Sequence, residues 1–305
     1  HLRRRPRRGI SLNDNNPERG TADMVKVVRT DRELQCPVID AGLRDMGVDL
    51  VLVPDGAGEN VLLDAVADAD LILMCYTPIT ERVIAAAPRL KGIVKYGVGI
   101  DAIDVQAARA RGIPVVNIPE YAERTVAEGA FTLMLALAKK LIPLDRAMRA
   151  DGWAWPEEKW LANDIAGKTV GIVGAGRIGR AFAQMAGVLN DETRGLIGAK
   201  ELAAMKPTAI ILNVARGAVI DEAALVRTLL EGRIAGAGLD VYSREPLMLE
   251  GHPLSPLFGL DNVILLPHLT FFTHEAMERL ELETLERCRE VLEGRPVTVK
   301  SPDPR

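Results

Sequence analysis

Short apolar runs alternate with stretches of helical periodicity along the first third of the chain. One intervening stretch, 105–111, is predicted to be a helix because Asp104 precedes it as an N-cap and Gly112 follows its last turn. Strands that alternate with helices predict a parallel sheet. The first 117 residues are therefore predicted to form one α/β domain, with strands at 25–28, 48–53, 71–75, 92–95 and 114–117.

A long helix and an aromatic connector are predicted to follow this domain. Thr125 and Glu128 have the spacing of a capping box ahead of the apolar stretch 131–141, and Pro143 disfavours continuation of the helix. The stretch 151–163 has no clean period, so we predict a connector packed by its aromatic rings. A platform for stacking nucleic-acid bases is the less favoured alternative. The rings are those of Trp153, Trp155 and Trp160.

A glycine-rich turn follows the next predicted strand, 168–173. The segment Gly174-Ala175-Gly176-Arg177-Ile178-Gly179 opens a predicted helix that runs through Ala186. In dinucleotide-binding folds the first glycine allows a tight turn, the second lets the pyrophosphate approach, and the third lets the helix pack on the strand. The phosphates lie at the helix N-terminus. A strand before the motif and a helix after it predict a dinucleotide site.

The strand expected after that helix cannot be found. It should end, about 20 residues after the fingerprint, in an acidic residue that binds the ribose. Asp191 lies near this distance, but no apolar strand precedes it, so we assign it no ribose role. A complete βαβ unit takes about 30 residues or more. We predict that a segment is missing from this sequence, with the seam near Val188 and Leu189.

Three apolar runs in the second half of the chain are each followed by a polar residue. Ligands bind at the carboxyl ends of strands in open parallel sheets, so these side chains, 29 and 23 positions apart, are predicted to converge. A cation can hold a carboxylate, and an imidazole oriented by a carboxylate can supply a proton near neutral pH. Taken one at a time, the cation could pair with surface acids, the carboxylate could be a solvated loop residue, and the histidine could be an ordinary turn residue. Together they predict reduction of a keto acid. The runs 209–214, 236–241 and 262–266 precede Arg216, Glu245 and His268, respectively.

Composition excludes some classes of partner. A length of 305 residues with 48% apolar residues allows two domains, and a net charge of −4 gives no overall attraction to nucleic acid or to anionic membranes. No apolar run approaches the roughly 20 residues that span a bilayer. The three cysteines lack metal-site spacing, so we expect reduced thiols in a cytoplasmic protein and no metal. The arginine-rich segment 1–23 is interpreted as a leader or tag, with a functional basic arm as the alternative.

The sequence blocks around the three polar residues resemble those of a known family, the D-isomer-specific 2-hydroxy-acid dehydrogenases. The resemblance extends from Met24 to about Gly294. It implies an α/β fold of two doubly wound parallel-sheet domains: a flavodoxin-like substrate domain, 1–117 and 270–305, and a Rossmann NAD-binding domain, 118–269. The blocks are Asn213 to Glu222, Gly238 to Val241 with Glu245-Pro246, Pro267-His268, and the segment Lys95 to Asp104, which is similar to the family's substrate loop.

The resemblance implies a role for each candidate residue. His268 is the acid/base, Glu245 its partner and Arg216 the clamp for the substrate carboxylate. Backbone amides of the substrate loop would hold the same carboxylate. The substrate-binding residues are Tyr96, Gly97, Val98, Gly99 and Arg216. The cofactor-binding residues are Val98, Gly174, Gly176, Arg177, Ile178, Gly179, Val214, Ala215, Arg216, Asp240 and His268.

Several expectations accompany these roles. The cofactor is NAD by family default, with NADP open, and the substrate is a small 2-hydroxy or 2-keto acid of the phosphoglycerate, glyoxylate–hydroxypyruvate or D-lactate type. Glu245 disfavours the formate dehydrogenase branch, and no regulatory domain is expected after residue 305. A homodimer is expected through the helix 125–141 and the connector.

The segment after His268 departs from the family, which has small residues there. Phe271 and Phe272 could narrow the pocket, but packing at the interdomain hinge is favoured. The same aromatic pair is reminiscent of the C-terminal-binding-protein corepressors, which retain the three polar residues. An NAD-sensing, peptide-binding protein of this fold is therefore the alternative function.

Overall fold

The structure, a computed structural model, describes residues 24–174, 176–186 and 197–297. Of these, 24–94, Ala102–Val115 and Cys288–Pro296 form a first compact unit, and the rest form a second. The predicted leader, the predicted seam at Val188 and Leu189, and Asp191 lie outside the described residues. The domain boundaries drawn from the sequence stay a prediction.

A five-stranded sheet, most of which lies in the first unit, has the order β2-β1-β3-β4-β5. This is the order of flavodoxin-like folds, and it confirms the predicted class. β1 pairs in parallel with β2 and β3, and every residue of β3 and β4 is buried, because helices cover both faces of such sheets. The strands are β1 (Lys26–Arg29), β2 (Asp49–Leu52), β3 (Leu71–Met74), β4 (Gly92–Lys95) and β5 (Val115–Asn117).

Two helices of this unit begin at a side-chain N-cap, provided by Thr80 and by Asp104. Asp104 accepts a hydrogen bond from the Ala107 N–H at 2.9 Å, as the sequence predicts. Gly112 follows the helix with φ of 67°, in the left-handed region that glycine occupies without strain. The helices are α1 (Pro37–Asp45), α2 (Glu59–Val66), α3 (Glu81–Ala86) and α4 (Val105–Ala110).

The second unit contains three described strands, paired in parallel in the order β6-β7-β8. They confirm the three strands predicted for this part of the chain. Their core includes Leu225 and Leu229 of α9 and Leu239 of β7. The elements are α5 (Glu123–Ala138), α6 (Leu141–Asp151), α7 (Arg177–Ala186), α8 (Ala199–Ala204), β6 (Ile210–Asn213), α9 (Glu222–Leu230), β7 (Gly236–Leu239), β8 (Val263–Leu265) and α10 (His274–Leu292), of which the part up to Arg287 belongs to this unit.

The prediction of a strand at 168–173 is wrong. The stretch belongs to no sheet among the described residues, and Val173 is exposed. An apolar run becomes a strand only where a neighbour supplies backbone hydrogen bonds. Val170 and Ile172 instead pack, together with Phe182 of α7, against α5.

The capping box predicted for α5 is also wrong. The helix begins at Glu123, one turn earlier, and its N-cap, Ala122, makes no side-chain cap. The Thr125 hydroxyl accepts a hydrogen bond from the Arg279 guanidinium at 3.4 Å, and the same guanidinium donates to the Tyr121 carbonyl at 2.8 Å. A tertiary contact therefore takes the group that a local cap would use.

Pro143 does not end the helical region as predicted, because α5 ends at Ala138 and α6 begins at Leu141. In the first turn of α6 the missing N–H of proline needs no partner. Of the three tryptophans predicted to pack the connector after α6, Trp160 is partly buried. Trp153 and Trp155 are exposed and contact each other edge to face, with ring centroids 6.1 Å apart.

Within the described residues, every helix is too short or too polar to cross a membrane.

Candidate active site

The fingerprint turn has the geometry that its glycines predict. Gly174 adopts φ of 94°, and α7 begins at Arg177, with Gly176 accepting the Arg180 N–H at 2.9 Å. A Cβ on Gly179 would lie 2.1 Å from the Gly174 carbonyl oxygen, whereas one on Gly176 would meet no atom within 4 Å. The turn is closed on the helix side and open at Gly176, so it fits a pyrophosphate at the N-terminus of α7.

Two predicted cofactor residues beside this turn have other side-chain partners. The Arg177 guanidinium lies 3.2 Å from Glu123 and 3.5 Å from Glu120, and no sequence signal marked these carboxylates. Ile178 packs against the apolar cluster of Ala130 and Phe182. Their predicted contribution is therefore best made by backbone N–H groups, which point out of the first turn of a helix.

Alanine at Gly176 and at Gly179 should have different effects. At Gly179 the added methyl collides with backbone, so we expect a loss of about 1–3 kcal/mol in the free energy of unfolding together with weak cofactor binding. At Gly176 the free energy of unfolding should change by less than about 1 kcal/mol, while the dissociation constant for NADH rises at least about tenfold because the methyl blocks the pyrophosphate. Denaturant unfolding and NADH fluorescence titration measure the two quantities.

Gly171→Ala is the matched control, because a Cβ there also meets no atom within 4 Å and the residue precedes the fingerprint. Both quantities should stay at the parent value. Parental NADH affinity in Gly176→Ala would contradict a pyrophosphate site at this turn.

Arg216 stands on a braced loop directly after β6. Asn213 is buried, donates to the Arg216 carbonyl at 2.9 Å and accepts the Ala215 N–H at 3.1 Å. The guanidinium donates to the Ala215 carbonyl at 2.7 Å and to Asp101 at 3.3 Å. The side chain is half exposed, with its charge presented to solvent beside a carboxylate. Val214 packs into the cluster beneath it.

Gly217 brings the loops after β6 and β7 into contact. A Cβ at this position would lie 1.9 Å from the carbonyl carbon of Tyr242 and 2.0 Å from the Ser243 nitrogen. The two backbones touch, so Arg216 lies next to the loop that carries Glu245. Burial, followed by the charge of Asp240, raises the pKa of the Tyr242 phenol, which donates to the Leu266 carbonyl at 2.7 Å.

Glu245 and His268 form a hydrogen-bonded pair. His268 Nδ1 lies 2.8 Å from a Glu245 carboxylate oxygen, and both side chains are about one-third exposed. The other carboxylate oxygen accepts the Tyr242 N–H at 3.0 Å. Burial alone would raise the pKa of Glu245, but the bonds from His268 and Tyr242 and the charges of His268 and Arg216 lower it below its ordinary value. Glu245 is therefore ionised at neutral pH, and it feels the charge of Arg216.

Asp240 fixes the loop on which His268 stands. Its carboxylate is 1% exposed and accepts the N–H groups of Leu269 and Thr270, at 3.0 and 3.2 Å, and the Thr270 hydroxyl at 2.5 Å. His268 has φ of 58°, a left-handed conformation that is costly for a non-glycine residue and persists where neighbours enforce it. The predicted role of Asp240 in cofactor binding stays a prediction.

The two aromatic residues after His268 differ in burial. Phe271 is buried and lies edge to face on Tyr121, with centroids 6.1 Å apart, and on the His268 ring at 6.4 Å. Phe272 is exposed. Phe271 therefore packs against the imidazole and limits its orientations.

The predicted substrate loop lies against Arg216. The Tyr96 side chain is fully buried, and the Gly97 N–H donates within the loop, to the carbonyl two residues earlier, at 3.0 Å. The guanidinium of Arg216 occupies the space where a Gly99 side chain would begin. Gly99 thus brings the backbone of the predicted substrate loop next to a cation, a combination suited to a carboxylate.

The comparisons with known proteins agree with this geometry. The family model described as D-isomer specific 2-hydroxyacid dehydrogenase, NAD binding domain, matches residues 131–190 and 185–270. A glyoxylate reductase of Thermococcus gammatolerans is 38% identical over 277 residues, which are 74% of this chain and 81% of the relative.

Two solved structures are similar over most of the chain. An NADPH-dependent glyoxylate/hydroxypyruvate reductase of Sinorhizobium meliloti, in complex with NADP and malonate, is 26% identical with a TM-score of 0.78, covering 91% of this chain and 96% of that one. A D-lactate dehydrogenase of Aquifex aeolicus, complexed with NAD and lactic acid, is 25% identical with a TM-score of 0.75, covering 88% and 96%. The chain therefore belongs to the family of D-isomer-specific 2-hydroxyacid dehydrogenases and is an NAD(P)-dependent oxidoreductase of 2-hydroxy or 2-keto acids.

Proposed function

We propose that the chain interconverts a small 2-keto acid, with glyoxylate and hydroxypyruvate as the first candidates, and the corresponding D-2-hydroxy acid, using His268, Glu245 and Arg216. The observation that carries the proposal is the 2.8 Å pair of His268 and Glu245, beside the cation of Arg216 at the ends of neighbouring parallel strands. The names of the relatives support the choice of substrates.

Proton transfer is the task of His268. Its Nδ1–H donates to the ionised Glu245, so the proton exchanged with the substrate is carried on Nε2. The carboxylate fixes the ring plane, while Phe271 restricts ring rotation. When bound at the fingerprint turn, the nicotinamide cofactor supplies or accepts the hydride at C2 of the substrate. In reduction, His268 protonates the carbonyl oxygen, and in oxidation it takes the hydroxyl proton.

Arg216 orients the substrate by its carboxylate. A guanidinium offers two parallel N–H donors to a carboxylate, and Gly99 of the predicted substrate loop lies directly against it. The carboxylate held there leaves the adjacent C2 oxygen to face His268. A 2-keto acid is the smallest substrate that presents both groups.

Asp101 should weaken substrate binding by competing for Arg216. The two side chains pair at 3.3 Å, and Arg216 keeps its bond to the Ala215 carbonyl without Asp101. For Asp101→Asn we therefore expect the KM for the keto acid to fall about two- to fivefold, the range of an exposed ion pair, with kcat within about twofold. Steady-state kinetics at low and high salt measure this, and the difference should shrink at high salt.

The matched control is Asp261→Asn, which removes the carboxylate of another exposed pair, with Arg146. Its KM should equal that of the parent. A KM that rises in Asp101→Asn would mean that Asp101 orients Arg216 rather than competing with the substrate.

The proposed function is tested by assaying the full chain with NADH and NADPH against glyoxylate, hydroxypyruvate, pyruvate and 3-phosphohydroxypyruvate. His268→Ala serves as the blank. Turnover that is lost in the blank supports the proposal and ranks both cofactor and substrate. Tight NADH binding without turnover of any of the four acids would reject it and favour an NAD-sensing binding protein.

We also propose that the protein is a homodimer through α6 and the connector. Among the described residues α6 has no buried side chain, and α6 and the connector expose several large apolar side chains, which suits an interaction surface. α5, predicted as part of the interface, is largely buried within its own unit. The exposed apolar residues of the surface are Leu141, Ile142, Met148, Trp153, Trp155 and Leu161.

Light scattering after size exclusion should give the mass of a dimer at micromolar concentration. Trp155→Glu should dissociate it, because a charge cannot be buried without a partner. Leu249→Glu is the control, since Leu249 is exposed to the same extent, 72%, outside this surface. A monomeric parent would refute the proposed assembly.

A further inference from the structure

His252 is a buried histidine for which the proposed mechanism has no use. It lies in the loop between Glu245 and β8, only 4% exposed, among four histidines in the chain. No sequence signal distinguished it, because it does not follow a predicted strand. Its two ring nitrogens nevertheless have different and defined partners.

The contacts of the ring assign its tautomer. The Leu254 N–H points at Nδ1 at 3.1 Å, so Nδ1 must accept. The proton of a neutral ring then lies on Nε2, which donates to the Arg244 carbonyl at 3.0 Å. The His252 ring therefore bridges the Leu254 N–H to the Arg244 carbonyl, eight residues before the histidine.

The Arg244 carbonyl is adjacent in sequence to Glu245 of the proton-transfer pair. The Arg244 carbonyl belongs to the peptide group that continues into Glu245, so a bond to this oxygen fixes the plane from which the Glu245 side chain leaves. The Glu245 carboxylate itself accepts hydrogen bonds from the Tyr242 N–H at 3.0 Å and from His268 Nδ1 at 2.8 Å. Without the bond from His252, the peptide can rotate and the carboxylate can move relative to the imidazole.

We propose that His252 is a positioning residue for proton transfer, and that its Nε2–H bond to the Arg244 carbonyl holds Glu245 against His268. The inference rests on the proposed function of that pair. If His252 only stabilised the loop, loss of the hydrogen bond at either ring nitrogen would have a similar effect on kcat. If it positions Glu245, only loss of the bond from Nε2 should lower kcat.

Two substitutions separate the nitrogens. Glutamine reaches as far as Nε2, so His252→Gln keeps a donor for the Arg244 carbonyl and loses the acceptor for Leu254. Asparagine ends near Nδ1, so His252→Asn keeps that acceptor and loses the donor. Ser255→Ala is a control in the same loop. The Ser255 hydroxyl accepts a hydrogen bond from the backbone N–H of His252 at 3.1 Å and donates one to the Met248 carbonyl at 2.9 Å. Neither bond involves Arg244.

The kinetic test compares these variants on the best keto acid. We expect kcat to fall about tenfold in His252→Asn and to stay within about twofold to threefold in His252→Gln and Ser255→Ala, with KM and NADH affinity unchanged in all three.

A second measurement does not depend on activity. Long-range ¹H–¹⁵N spectra of the ¹⁵N-labelled protein report the protonation of each ring nitrogen. His252 should appear with its proton on Nε2, and the Nδ1–H signal of His268 should be perturbed in His252→Asn and retained in His252→Gln. Failure of the proposed function would appear as an inactive parent, while these spectra would still test the bridge.

If kcat fell equally in His252→Asn and His252→Gln, or if the loss of kcat followed the loss in free energy of unfolding, the proposal would be overturned. His252 would then be a stabilising residue only. An unperturbed His268 signal in a folded His252→Asn would also overturn the proposal.

Discussion

Replacing His268 with asparagine is expected to lower kcat for a keto acid by about 10²- to 10⁴-fold, the usual contribution of general acid–base catalysis. Asparagine tolerates the left-handed backbone that position 268 adopts, at φ of 58°. The substitution therefore removes the transferable proton with little change to the loop. Steady-state rates with NADH measure the loss, and NADH affinity, measured by fluorescence, should remain within about twofold.

A companion variant, Glu245→Gln, should lose less, because the ring keeps its proton-transfer nitrogen and loses only the charge that orients it. The Tyr242 N–H can still bond to the remaining amide oxygen. If His268→Asn kept more than about a tenth of the parental kcat, the proton would have to come from another group.

Replacing Arg216 with methionine should lower kcat/KM by about 10²- to 10⁴-fold. Two hydrogen bonds from a cation to the substrate carboxylate are lost, each worth about 1.5–3 kcal/mol, and every 1.4 kcal/mol is a factor of ten. Arg216→Lys should recover only part of this loss, since an ammonium keeps the charge without the fork of donors. The kinetics of both variants with the same keto acid give the comparison.

The control is the substrate rather than the protein. An amide of the same keto acid lacks the charge that Arg216 binds, so the parent and Arg216→Met should differ on it by less than about tenfold. An equal loss on acid and amide would mean that the substitution acts through the loop of Asn213 or through Glu245, whose pKa the Arg216 charge helps to lower.

Much of the fold follows from the order of apolar and polar residues. Where a run lies in the middle of a sheet, as in β3 and β4, both faces are buried and the sequence is continuously apolar, so the strand can be recognised. The same pattern fails at 168–173, because an apolar run does not reveal whether a neighbouring strand is present. The Thr125 cap fails for a related reason: a guanidinium from 154 residues further along the chain takes the hydroxyl.

The residues of the candidate site also divide into those that the sequence could predict and those that it could not. Arg216, Glu245 and His268 could be predicted to meet because each directly follows a strand of one parallel sheet. Asp101 and His252 could not, since their partners depend on how loops cross, and loop paths carry no period. Glu123 could not either, because its pairing with Arg177 depends on how α5 packs against α7. The closeness of the loops after β6 and β7 is an exception, because Gly217 belongs to a recognised block and its missing side chain is what lets them touch.

The backbone of His268 has a consequence for the evolution of the protein. A histidine at φ of 58° costs the fold free energy, on the order of 1 kcal/mol, that glycine would not cost. Selection for heat resistance alone would therefore favour loss of the imidazole at this position, and natural selection for turnover must continually oppose it. In a randomised library, thermostable clones with glycine or asparagine at 268 should be enriched among those that have lost activity.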